Sequence, residues 1–84
     1  MENPMLGEGF TATLTAGGRH VLLEVLYTQI GWNARVVETD GNTQIECERV
    51  DSVDSGKQLA EEVAKSYLGD KDLLLPSAKW EKKQ

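Results

Sequence analysis

The chain has 84 residues and a formal charge of −5, from 9 lysines and arginines against 14 aspartates and glutamates. That length makes one domain with little room for a deep pocket beside a core, and the acidic balance disfavours nucleic acid as a partner. A lone cysteine, Cys47, forms no internal disulfide, so the expected setting is a reducing cytoplasm.

The charge is uneven. Residues 79–84 carry three lysines and one glutamate, net +2, which leaves −7 on residues 1–78 (−5 less +2). The division expected is one domain over residues 1–78 and a basic, flexible tail over 79–84. The start, Met1-Glu2-Asn3-Pro4-Met5, lacks the basic and apolar regions of a signal peptide. The longest aliphatic runs, Val21 to Leu23 and Leu73 to Leu75, are too short to span a membrane.

Gly7-Glu8-Gly9 leads into a strand pattern, not a helix, so it is no dinucleotide loop. Phe10, Ala12 and Leu14 then alternate with Thr11, Thr13 and Thr15, a half-buried strand. Gly17-Gly18 is a hairpin signal. A two-residue loop there sets Ala16 opposite Arg19, Leu14 opposite Val21 and Ala12 opposite Leu23. A second break, Gln29 to Trp32, predicts Tyr27 opposite Ala34 and Val25 opposite Val36. A third, Asp40-Gly41, predicts Val36 opposite Ile45 and Ala34 opposite Cys47. Opposed residues share a face and each strand alternates faces. The three turns therefore agree on one apolar face, holding Phe10, Ala12, Leu14, Val21, Leu23, Val25, Tyr27, Ala34, Val36, Ile45 and Cys47. The other face is mostly polar, with Arg35 expected to pair with Glu46 and with Glu24 and Glu48 nearby. It also carries Leu22, Leu26 and Val37 on its two central strands.

A helix follows. Ser55 and Gln58 have the spacing of a capping box. Leu59, Ala60, Val63, Ala64 and Tyr67 form one apolar stripe, Lys57–Glu61 and Glu61–Lys65 are charge pairs on the wet side, and Gly69 is a stop signal. The fold class is thus α+β: a four-stranded antiparallel β-meander, order 1-2-3-4, with one amphipathic α-helix packed on one face. Leu73 to Pro76 suits an edge strand or a strap. Residues 77–83 suit a short helix anchored by Trp80.

No residue set carries a reaction, a cofactor or a metal. His20 and Cys47 fall on opposite faces and make no nucleophilic pair. One histidine and one cysteine are too few ligands for a transition-metal site. Glu24, Glu46 and Glu48 lie on an open face with no cleft to shift a carboxyl pKa. Three surfaces remain. The outer patch of Leu22, Leu26 and Val37 needs a cover, either the chain's own Leu73–Trp80 segment or a second copy. Trp32 either stacks on a ligand or partner beside Gly31, or caps the core end, where its parity points it. The strip Glu46, Glu48, Asp51 and Asp54 either protects an edge strand or imitates a phosphate backbone. The expected function is a non-catalytic protein-interaction module, with homodimerisation through the outer face as one route. The alternatives are an acidic inhibitor or nucleic-acid mimic docked on a basic partner, and a small-ligand binder near the Trp32 turn.

Overall fold

Alternating apolar and polar residues between turn signals form four consecutive antiparallel strands: β1 (Gly9–Ala16), β2 (Arg19–Thr28), β3 (Gly31–Glu38) and β4 (Thr43–Val50). The helix α1 (Val53–Tyr67) and a short strand β5 (Glu81–Lys83) follow. The computed structural model describes residues 6–69 and 78–83. The strand order is β4-β3-β2-β1-β5, a meander extended by one strand, with α1 against one face. The α+β architecture and the order of the first four strands are as the turns predict. The Leu73–Pro76 strap falls outside the described residues. The short helix expected over 77–83 is not formed among its described residues: 78–80 are irregular and 81–83 form β5, which pairs antiparallel with Gly9–Thr11. Residues 81–83, which belong to the expected tail 79–84, thus lie in the sheet.

The first hairpin has the expected register, Ala16 against Arg19 and Leu14 against Val21. Gly17 and Gly18 take φ of +58° and +80°, which a tight two-residue turn demands and which costs glycine little. In the second hairpin Thr28 faces Gly31 and Tyr27 faces Trp32, so Val25 meets Ala34 where Val36 was expected. The shift is two residues, so every side chain keeps its face. Thr28 holds the tighter turn. Its Oγ1 donates to the Gly31 carbonyl at 3.1 Å and accepts from the Ile30 N–H at 3.3 Å and from Asn33 Nδ2 at 2.8 Å.

The third hairpin starts in the expected register, with Glu38 against Thr43 and Val37 against Gln44, and then departs from it. A bulge makes Ile45 an extra residue, so Val36 faces Glu46, Arg35 faces Cys47, Ala34 faces Glu48 and Trp32 faces Val50. The expected pairings Val36–Ile45 and Ala34–Cys47 are thereby overturned. Strict alternation would put either Ile45 or Val50 in solvent. The bulge lets both turn to the helix side, Ile45 against the core cluster and Val50 against Gly56. It turns Glu46 and Glu48 to that side as well, at the edge, where they still reach water.

The helix begins earlier than the capping box suggests. Ser52, not Ser55, is the N-cap: its Oγ accepts the Ser55 N–H at 3.2 Å, and its carbonyl accepts the Gly56 N–H at 3.0 Å. Gly56 lies inside the helix because the sheet is close. A Cβ there would sit 2.9 Å from Val25 Cγ1 and 3.1 Å from Val50 Cγ2. Gly56, Ala60 and Ala64 recur every four residues and are all buried, so the helix backbone beds closely onto β2 and β3. Leu68 donates its N–H to Ala64, and Gly69 ends the helix at φ +79°. Beneath α1, Val21, Leu23, Val25 and Val36 are fully buried, each stabilising the fold by about 1.5–3 kcal/mol.

Candidate functional site

The outer face is less open than its sequence suggests. Leu22 pairs across the strands with Val37, which is only 6% exposed. Leu26 lies over Gly9, where a Cβ would come within 2.6 Å of Leu26 Cδ2. Between these two groups Glu24, also 6% exposed, faces Arg35, with Oε1 3.5 Å from Nη1. The bulge removes Glu46 from this face, so the expected Arg35–Glu46 pair gives way to Arg35–Glu24. The apolar patch is therefore two smaller patches separated by a charge pair. Ala78 and Trp80, the described part of the segment expected to cover it, pack instead on the helix-side core.

The bulge also moves Cys47. Expected as a small buried residue, it is exposed, on the same face as His20. The two still make no pair. Four residues along β2 and two strands across separate them, about 13 Å by about 10 Å. Among the described residues, no group of three or more histidine, cysteine, aspartate or glutamate side chains is placed to hold a metal ion. Trp32 sits edge-on to Tyr27, centroids 5.1 Å apart at 63°, and opposite Val50 at the end of the core.

The two edges of the sheet differ. At the β1 edge, β5 adds a strand and Trp80 packs under it. Glu61 of α1 receives the Ala78 N–H at 3.0 Å and the Trp80 Nε1–H at 3.2 Å. Lys65 lies 4.0 Å from the same carboxylate. Lys57 was expected to pair with Glu61 in solvent. Its ammonium instead sits 4.3 Å from the Phe10 ring centroid and 5.8 Å from that of Trp80. Lys82 reaches Glu8 at 3.4 Å across the new ladder.

At the β4 edge no described strand follows. Between β4 and α1 runs an open groove of about 410 Å³ lined by Ile45, Glu62, Val63, Ser66 and Tyr67. Glu46 and Glu48 stand on the same side, since they face Val36 and Ala34. Tyr67 closes one end. The Glu38 carboxylate near its hydroxyl favours the neutral phenol, first as an acceptor for its proton and also by its charge, and with partial desolvation raises its pKa above the ordinary 10.0. Arg19, 5.6 Å from the ring centroid, acts in the opposite direction. Alternation alone misses this groove, because it needs the bulge and the seat of the helix. Ile45 and Tyr67 read only as core.

Among the described residues, no helix is long and apolar enough to cross a membrane. No family model matches the chain, and no curated protein or solved structure matches it either.

Proposed function

We propose that this chain is a non-catalytic protein-interaction module that docks a partner segment along the β4 edge. The observation behind this reading is the edge of an eight-residue strand, shared by no described strand, beside an apolar groove. Backbone groups on such an edge can pair with an added strand, and the groove can take one of its side chains. The test is to select binding peptides from a displayed library and map them by amide chemical shifts. The expected shifts fall on residues 46–50 of β4. Shifts confined to the outer face around Leu22 and Leu26 would overturn the reading.

A second reading, self-association through the outer face, is favoured by Leu22 and Leu26, which stay partly exposed on the central strand β2. It predicts a dimer by light scattering that Leu22→Glu converts to monomer; a monomeric parent chain ends it. A reducing, cytoplasmic setting goes with either reading. It is supported by the exposed thiol of Cys47, which an oxidising compartment would cross-link. Disulfide-linked dimers in freshly lysed cells would count against it.

A further inference from the structure

Resting on that docking reading, we infer that the β4 edge takes an extended, basic segment of another protein, with the pattern basic-x-basic-x-apolar. Three observations combine. First, beyond the bulge, Glu46 to Val50 keep a regular register against β3, so their outward backbone groups form a straight template, in which the Cys47 N–H is held at 3.2 Å by Glu46 Oε1 and passes to an added strand when a basic residue draws that carboxylate away. Second, helix-side positions of an added strand would lie next to Glu46 and Glu48, with Glu62 across the groove. Third, the groove that begins at Ile45 is walled by Val63 and Tyr67, which suits one aliphatic side chain.

The order of side chains is read for an antiparallel partner, the pairing that the described strands of this sheet use. An antiparallel strand meets Glu48 first, then Glu46, then the groove at Ile45. Its helix-side residues are therefore basic, basic and apolar, each separated by one residue that faces the other way. The residue between the two basic ones lies beside Cys47 and the residue before them beside Arg49, so these two are neutral or acidic, while the residue before the apolar one passes the bulge at Ile45.

The same charges exclude a second copy. In a two-fold antiparallel pairing of β4 with itself centred on Cys47, Glu46 faces Glu48 of the other copy at two places. Centring on Glu46 or Glu48 sets that glutamate against itself. Like charges directly opposed are destabilising, so the edge rejects its own kind and accepts the opposite sign.

The test uses the full chain and two blocked peptides, Thr-Lys-Thr-Lys-Thr-Leu-Thr and Thr-Glu-Thr-Glu-Thr-Leu-Thr, titrated at low salt and followed by amide shifts. The lysine peptide should perturb residues 46–50 and bind at least about fourfold tighter than the glutamate peptide, two cross-strand charge pairs at roughly twofold each. Added salt should narrow the difference. A lysine peptide N-methylated at alternate residues should lose binding, because strand addition needs backbone donors. Glu46→Lys with Glu48→Lys should reverse the preference, and an unchanged amide spectrum elsewhere shows that this variant is folded. Equal affinity for both peptides, with shifts on β4, overturns the basic preference and leaves edge docking standing. No β4 shift with either peptide at millimolar concentration overturns both.

Discussion

The β1 and β4 edges belong to one sheet and lie under one helix, yet a described strand covers Gly9–Thr11 of the first and none covers the second. At β1 the chain supplies its own closing strand and fixes it through a single carboxylate, Glu61, that accepts two N–H groups. At β4 it supplies a bulge and two glutamates along the edge, one of which, Glu46, accepts the Cys47 N–H, and no described strand pairs there. The contrast shows two ways of managing an edge. One satisfies the backbone; the other makes the edge selective by charge.

The largest expected effect tests the closed edge. Trp80→Ala removes packing against the core and the indole donor to Glu61, and should cost about 2–3 kcal/mol, lowering Tm by roughly 10 °C or more. Amides of Gly9–Thr11 should then exchange faster while those of β3 and β4 keep their relative protection. Equal loss of protection across all strands would mean the two edges are not independent.

Gly56→Val probes the β4 end of the helix. Its side chain must displace Val25 and Val50, so α1 lifts at its N-terminal turns, at a cost of about 1–2 kcal/mol in chemical denaturation. A stability equal to the parent chain would show that the close seat of α1 is not required. Smaller still is the effect at the open edge itself. Glu46→Thr with Glu48→Thr should change stability by no more than about 0.5 kcal/mol, yet promote concentration-dependent association in sedimentation experiments. If the variant stays monomeric at high concentration, charge is not what guards β4.

The smallest effect concerns pH. The folded pKa of Tyr67 is raised, so the fold favours the neutral phenol. Its contribution is fully present below the unfolded pKa near 10 and is lost as pH rises through the folded value. Alkaline unfolding should therefore be less steep in Tyr67→Phe than in the parent chain. Identical profiles would show that Glu38 does not stabilise the neutral phenol at the groove.

Much of this was legible from residue order. The glycine and Asp-Gly turns predicted the meander, and alternation in β1, β2 and β3 predicted which face is buried. A two-residue shift at the second hairpin left that face intact because the strand period is two. The bulge was not legible. It answers a demand from outside the strand, that Ile45 and Val50 both reach α1, and alternation carries no sign of it. Every misplaced site residue, Glu46, Glu48 and Cys47, lies beyond that one extra residue. Ser55 was mistaken for the cap for a similar reason. Gly56 looks like a helix boundary, whereas its missing side chain is what lets the helix approach the sheet.

By itself, then, the sequence determined the α+β class, the order of four strands, the helix stripe and the acidic balance, because these rest on local turn chemistry and periodicity. The tertiary structure alone decided which edge is closed, which way β4 turns its glutamates and where the groove lies. Those depend on the distance between helix and sheet, set by Gly56, Ala60 and Ala64 packed against Val25 and its neighbours, and that distance appears only when the elements meet.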